Sequence, residues 1–360
     1  MQDKVSEQAQ MFANRLQKRF RHLKKWSLRT NTGAFRLYDR DIPEIPLVLD
    51  FYGDCDDLQN TALCGALYKR PYEKDETEES KWLLKMKESA AIALGVKPEH
   101  IFIKRRQKQK GVSQYEKISQ TRFEKVINEG GLKFKVNLSD YLDTGLFPDR
   151  RLLREMIRKE ANGKKVLNLF SYTGSFSVYA AAEGAASTDS VDLSNTYLNW
   201  AKDNFSLNGI TAEIIQIWDL FEKKSRKDVE PVVRKAQRED ECFNLLVRAD
   251  VIEFLEKSIT TKMRWDIIVI DPPAFSNSKK MIDTFDLNRD LIELVNKCLK
   301  LLSPGGKIFL SINLRRHVPA AADLETELKN AKVTDLESKI TDEDFKGKKI
   351  PKAFLINILK

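Results

Sequence analysis

Cysteine and histidine are scarce in this 360-residue chain. The four cysteines (Cys55, Cys64, Cys242, Cys298) and three histidines (His22, His100, His317) are scattered, which excludes a zinc finger or a disulfide framework; neither metal nor disulfide is expected. No apolar run approaches the roughly 18 residues that cross a bilayer. The opening Met1-Gln2-Asp3-Lys4 also lacks the basic-then-apolar order of a secretory signal. A reducing cytoplasm is the expected compartment, with no membrane partner. Internal repeats are absent. Acidic residues are missing between Gln8 and Tyr38, where Arg15, Lys18, Arg19, Arg21, Lys24, Lys25, Arg29 and Arg36 all carry positive charge. The excess of Lys and Arg (62) over Asp and Glu (53) is therefore unevenly spread, and a polyanion is a plausible partner.

Three features in order carry the chemistry. Lys165 to Phe170 is an apolar run of strand length, followed by the turn Ser171-Tyr172-Thr173-Gly174 and a helix-forming stretch from Phe176 to Ala182. Free N–H groups at that helix start would face a ligand. Eighteen residues after Gly174, Asp192 ends the short run Ser187 to Val191, at the spacing where a carboxylate meets ribose hydroxyls; Leu193 and Ser194 follow it into the site. Asp271 closes the run Asp266 to Ile270, and Pro272-Pro273 fix a rigid exit at the sheet edge. Missing is the Gly-x-Gly-x-x-Gly pattern that closes backbone on a pyrophosphate. One glycine with hydroxyl side chains suits S-adenosylmethionine, which has no phosphate, better than a dinucleotide.

With these residues in view, the chain resembles the RlmK-type 23S ribosomal RNA guanine-N7 methyltransferases over nearly its whole length. The matching residues are Asn14-Arg15-Leu16, Arg36-Leu37-Tyr38-Asp39, Tyr52-Gly53-Asp54, Gln109-Lys110-Gly111, Gln114-Tyr115, Val136-Asn137-Leu138, Asp140 to Phe147, Asn168 to Ser175, Asp271-Pro272-Pro273 and Phe275-Ser276-Asn277-Ser278-Lys279. With no second module ahead of Met1, it resembles the stand-alone form. The resemblance implies a Rossmann-like class I methyltransferase sheet (α/β), S-adenosylmethionine as cofactor and 23S rRNA, or a large-subunit precursor, as partner. It also carries Thr144, Phe147, Asp149 and Arg151 over to the methionine end of the cofactor, and Asn168 to the loop. The chain departs from the family at Pro148 and Arg150, where an apolar residue and a histidine are usual.

Two domains are expected. Residues 1–137 read as a small α+β, RNA-binding unit. Phe12, Leu16, Phe20 (or Leu23) and Trp26 recur at helical spacing along its basic segment. Leu47 to Phe51, Ile101 to Lys104 and Phe134 to Asn137 read as extended, 69–80 as a charged turn, and Lys81 to Leu94 as a helix. Residues 138–360 alternate strand and helix, which implies a parallel sheet. There Ser194 caps a helix that stops at Asn208-Gly209, and a helix from Leu287 to Leu302 ends at Ser303-Pro304-Gly305-Gly306 before a strand, Lys307 to Ile312. Lys332 to Leu336 and Phe354 to Leu359 complete an antiparallel pair. Residues 217–243 read as an insertion. It leaves two candidates for the adenine end of the pocket: Asp250, favoured because it ends an apolar run one element before Asp271, and Asp219.

A 5-methylpyrimidine product needs an attacking cysteine. Ala274 follows the proline pair, and no cysteine ends the strand Phe309-Leu310-Ser311-Ile312-Asn313. Guanine N7 is already nucleophilic and needs only orientation. The expectation is direct in-line transfer to an exposed guanine: Asp271, Pro272 and Pro273 shape the mouth, Phe275 stacks, Ser276 and Asn277 hold the base edge, and Lys279 and Lys280 hold phosphates. RNA is expected on Arg15, Lys18 and Arg19 and on Lys104, Arg105, Arg106, Lys108 and Lys110. Methylation at another base position, such as a cytosine, and a non-catalytic RNA-binding assembly factor remain alternatives. The sequence leaves oligomeric state open.

Overall fold

The computed structural model describes residues 2–69, 75–105, 122–221, 243–276, 284–314, 318–328 and 330–359. They fall into two compact units, Met1–Pro148 with Asp342–Lys348, and Asp149–Thr341 with Lys349–Lys360.

In the first unit, helix α1 (Gln2–Thr30) is followed by strands β1 (Ala34–Asp39), β2 (Leu47–Tyr52) and β3 (Ala62–Leu67), helix α2 (Glu76–Leu94) and strand β4 (Ile101–Arg105). β1, β2 and β3 pair antiparallel; β4 returns parallel to β3 after the α2 crossover. The apolar spacing of α1 sets its burial: Phe12, Leu16, Phe20, Leu23 and Trp26 enter one core with Phe35, Phe51, Trp82 and Met86. Both Phe20 and Leu23 are buried, so the either-or reading of the sequence resolves to both. α2 starts earlier than expected. Asp75 caps it by accepting from the N–H groups of Thr77 and Glu78, and Glu76, Glu78 and Glu79 suit the positive end of the helix. Residues 76–80 are therefore helical rather than turn-like. A hairpin, β5 (Glu124–Glu129) and β6 (Leu132–Asn137), follows among the described residues of this unit.

The division falls after Pro148 rather than near 137, because the segment past β6 bonds back into the first unit. Leu138 N–H donates to the Phe123 carbonyl at 3.0 Å and Asn137 N–H to the Thr144 carbonyl at 3.0 Å; the Tyr52 and Thr144 hydroxyls meet at 2.9 Å. Asp342–Lys348 belongs here too. The Arg36 N–H donates to the Asp344 carboxylate at 2.9 Å, Arg19 to the Asp344 carbonyl at 3.0 Å, and Lys348 pairs with Asp41.

The second unit opens with α3 (Arg151–Ala161), β7 (Lys165–Leu169), α4 (Ser175–Ala182), β8 (Ser187–Asp192), α5 (Asn195–Leu207), β9 (Glu213–Gln216) and α6 (Ile217–Phe221). It continues with β10 (Phe243–Arg248), α7 (Val251–Thr260), β11 (Trp265–Ile270), β12 (Phe275–Ser276), β13 (Phe285–Asp286) and α8 (Leu287–Leu299). The last elements are β14 (Leu302–Ile312), α9 (Ala321–Leu328), β15 (Ala331–Asp335), α10 (Glu337–Ile340) and β16 (Lys352–Ile358). The sheet order is β15-β16-β14-β11-β7-β8-β10-β9, parallel except where β16 runs antiparallel to β14 and β15. The chain builds outward from β7 through β8, then returns to β11 on the other side, so the order reverses between β7 and β11. Crevices open there, beyond the strand carboxyl ends.

Three details differ from the sequence reading. α8 ends at Leu299, and β14 already begins at Leu302, where that residue pairs with Trp265; the Pro-Gly-Gly residues form an irregularity inside the strand pairing. The expected insertion begins with an ordered turn of helix at 217–221 and ends at Phe243 in β10; residues 222–242 lie outside the described part. Among the described residues, no helix is long and apolar enough to cross a membrane and no cluster of side chains could hold a metal.

Candidate active site

The loop after β7 is held in an unusual conformation. Phe170 and Tyr172 both have positive φ (54° and 50°), a region side chains rarely enter. Strain of this kind persists only where the surroundings impose it. Here Ser171 N–H donates to the Val191 carbonyl at 3.0 Å, Tyr172 N–H to the Asp192 carboxylate at 2.9 Å, and the Asn204 side chain to the Thr173 carbonyl at 2.9 Å. Gly174 (φ 73°) ends the loop against α5, where an added Cβ would lie 2.9 Å from that of Ala201. α4 starts on this glycine with no capping side chain, so its first-turn N–H groups have no side-chain partner from the N-cap. The Ser171 hydroxyl is buried in the loop with no hydrogen-bond partner. Asn168 sits differently from the expectation. It is 1% exposed and donates to Ser177 at 3.0 Å, which also accepts from Ser190 at 2.7 Å. Its side chain belongs to the packing between sheet and α4 rather than to the loop surface.

Asp192, at the end of β8, accepts from the N–H groups of Tyr172 (2.9 Å), Ser194 (2.8 Å) and Leu193. Burial still outweighs these donors and pushes its carboxyl up to about 6. Ser194 caps α5 through Tyr197 N–H at 3.3 Å, as its sequence position suggested. Asp250 caps α7, accepting from Ile252 and Glu253 N–H at 2.9 and 3.2 Å. Because Arg248 pairs in register with Asp192, Asp250 lies at the same sheet edge one strand over. Asp219 follows β9, a strand farther out, and accepts from Gln216 N–H at 3.1 Å.

Across the reversal point, Asp271 ends β11 and meets Arg150. The guanidinium Nε and Nη2 donate to its two oxygens at 3.2 and 3.1 Å. Nη1 lies 2.9 Å from Asp149, an ion pair without hydrogen-bond alignment. Burial opposes the charge on Arg150, but the two carboxylates overcome it and raise its pKa further. Sequence reasoning marked Arg150 only as a departure; nothing local announces a partner 121 residues away. Arg151 is buried beside it, and the Arg154 guanidinium lies over Phe176 and Tyr179.

Past the prolines, Phe275 and Ser276 pair with Asp286 and Phe285. Phe285 was not foreseen; its ring packs on Phe170 at 5.3 Å, tying this ribbon to the β7 loop. Phe275 instead shows 47% of its surface. Asn277, Lys279 and Lys280 lie outside the described residues.

The remaining expected contacts lie in the first unit. Thr144 and Phe147 are part of it, Thr144 bonded to Tyr52 and Phe147 exposed. Of the basic candidates, Arg15 pairs with Asp41 at 2.8 Å, Arg19 holds the Asp344 carbonyl, and Lys104 donates to the carbonyls of Tyr141 and Leu142. Those charges are committed internally, whereas Lys18 is exposed. The Arg105 side chain and residues Arg106, Lys108 and Lys110 lie outside the described part.

Comparison with known proteins places this geometry. A family described as S-adenosylmethionine-dependent methyltransferase matches residues 50–226, and one described as FtsJ-like methyltransferase matches residues 152–341. "Ribosomal RNA large subunit methyltransferase K" of Neisseria meningitidis is 44% identical over 96% of this chain and 86% of its own length. "Ribosomal RNA large subunit methyltransferase K/L" of Shewanella pealeana is 38% identical over 95% of this chain, which spans 42% of that longer protein. A methyltransferase crystallised with SAH aligns with TM-score 0.66 at 22% identity, covering 97% of this chain and 82% of that one. An S-adenosylmethionine-dependent methyltransferase from Streptococcus mutans aligns at 0.65 and 22%, covering 97% and 81%. At that identity the solved structures speak for the fold.

Proposed function

We propose, from the premise that this chain belongs to the ribosomal RNA large subunit methyltransferase K family of S-adenosylmethionine-dependent enzymes, that it methylates large-subunit ribosomal RNA at N7 of a guanine. S-adenosylmethionine supplies an electrophilic methyl group on a sulfonium and presents a carboxylate, an ammonium and a ribose diol. The residues of the second unit fit that set. Asp192 has acceptor capacity for the diol, and the unpartnered Ser171 hydroxyl and uncapped first turn of α4 offer donors to an anion. Phe170, Tyr172, Thr173 and Gly174 form the wall, with Leu193 and Ser194 next to Asp192. Asp250, one strand from Asp192, faces the adenine end in preference to Asp219. Asp149 and Arg151 serve the methionine end.

For the acceptor, Phe275 provides an exposed ring beside a rigid turn, on which a base extruded from its stack can lie. Ser276 is placed next to it for the base edge, and Asn277, Lys279 and Lys280 follow it in sequence. Asp271 is held by a guanidinium that does not give up its proton, so it orients the turn rather than removing a proton. N7 requires no such removal. Pyrimidine C5 chemistry would need a thiolate near this turn. Among the described residues of this unit the thiol is Cys298, fully buried in α8, where burial pushes its pKa far up. The observation that carries the reading is the Asp271-Pro272-Pro273 turn at the β7/β11 reversal, beside the strained loop and an exposed Phe275.

The test is to incubate the protein with unmodified large-subunit RNA and S-adenosylmethionine, then analyse the nucleosides by mass spectrometry. The expected product is 7-methylguanosine; 5-methylcytidine, or no methylated nucleoside, overturns the assignment.

A further inference from the structure

Helix α1 sorts its cations by phase. At about 100° per residue, Arg15 and Arg19 flank the buried arc of Phe12, Leu16, Phe20 and Leu23, and they spend their charge on Asp41 and the Asp344 carbonyl. Lys24 flanks the other side and pairs with Asp56 at 2.7 Å. Lys18, Arg21, Lys25 and Arg29 are different: they fall within a sector of about 80° opposite that arc, and all four are exposed. They form one straight row, roughly 16 Å long at 1.5 Å per residue.

The charged groups beside the row limit it. His22 faces Glu343, whose charge is also met by Lys346 at 2.5 Å. Toward the amino end the same line continues as Asn14 and Glu7. Beyond Arg29, Asp54 and Asp57 line a polar cavity of about 200 Å³ with Asn31, Asn60 and Lys125, and carboxylates there repel phosphate. The cationic surface thus has two acidic ends and a neutralised flank.

We propose that Lys18, Arg21, Lys25 and Arg29 form a track for the sugar-phosphate backbone of the substrate RNA, an inference that rests on the rRNA methyltransferase reading and deepens it. The track carries point charges and no base-reading groups. It therefore holds and registers the RNA without reading sequence, leaving base selection to the second unit. It also replaces Arg15 and Arg19 as the contact residues of this helix.

The experiment uses the full chain and a transcribed large-subunit rRNA fragment, with binding followed by fluorescence anisotropy over a salt series. Lys25→Ala/Arg29→Ala keeps good helix formers, and Lys81→Ala/Lys85→Ala on α2 removes the same charge elsewhere on the unit. The track variant is expected to bind at least tenfold more weakly at low salt. Its slope of log affinity against log salt should fall by about 1.4 to 1.8, from roughly 0.7 to 0.9 per lost phosphate contact. KM for RNA should rise with kcat and S-adenosylmethionine affinity unchanged, and the α2 variant should stay within twofold of the parent. A track variant with the parental slope, or an equal loss in the α2 variant, overturns the proposal while leaving methylation by the parent intact. Failure of the parent itself to methylate the RNA would instead overturn the functional reading.

Discussion

Arg150 grips Asp271 with two of its nitrogens, at 3.2 and 3.1 Å, and turns the third toward Asp149 at 2.9 Å. This triad, with its arginine buried, joins the turn before α3, on the proposed methionine side, to the turn that frames the proposed acceptor mouth. Its registry holds only while the central residue is charged. An arginine keeps its charge at every physiological pH.

Arg150→His should make that registry titratable. An imidazole between two carboxylates titrates above its usual value of about 6.5, so its cation is present at low pH and lost as pH rises. With saturating cofactor, kcat of the variant is expected to approach the parental value near pH 6 and fall roughly tenfold by pH 8.5, with Arg150→Lys lacking this limb. Identical kcat–pH curves for parent and histidine variant would show that the triad does not orient the reacting groups.

The raised carboxyl of Asp192 has its own signature. In the proposed pocket ribose hydroxyls donate to the ionised form, and the free protein holds a proton there below about 6. S-adenosylmethionine affinity is therefore expected to strengthen as pH rises from 5 through 6, by nearly tenfold per unit below 6, and then level off. Asp192→Asn should bind the cofactor about 10- to 100-fold more weakly, a loss of roughly 1.4 to 2.8 kcal/mol, with the pH dependence gone. Calorimetric titration at several pH values decides; a steep dependence surviving in the asparagine variant would assign it elsewhere.

Gly174→Ala combines a φ of 73° with a Cβ 2.9 Å from that of Ala201. The cost is expected to be about 1–3 kcal/mol, seen as a lower denaturation midpoint, with weaker cofactor binding because α4 must shift. An unchanged midpoint would mean that the α4–α5 approach is looser than described.

Phe275→Ala removes a ring that is 47% exposed, so stability should hold within about 0.5 kcal/mol. Stacking on a base is worth roughly 1–3 kcal/mol. Turnover on RNA should therefore fall 5- to 100-fold while cofactor affinity stays put. A parallel loss of cofactor binding would place the ring in the donor pocket instead.

Much of the second unit was legible because its signals are local. Ser194 and Asp250 precede helices they cap, Asp192 and Asp271 terminate short runs of strand length, and one glycine marks the loop. The first unit was harder. β1, β3 and β5 were not singled out, because pairing rather than alternation fixes them: Ala62–Leu67 is buried between β2 and β4, and Glu124–Glu129 exists through its hairpin partner. The sign of the α1 surface was legible, but not which cations were already committed. That depends on Asp41 and Asp344, one of them more than 300 residues distant. Asn168 looked like part of the loop, yet strand alternation turns its side chain into the core with Ser177 and Ser190.

The return of Asp342–Lys348 to the first unit bears on synthesis. The amino-terminal unit emerges early, with its sheet and helices α1 and α2, but Arg36, Arg19, His22 and Asp41 wait for partners encoded more than 300 codons downstream. Co-translational maturation of this half therefore finishes only after nearly the whole catalytic half has left the ribosome. A nascent chain stalled before codon 342 would expose that unfinished edge to proteolysis.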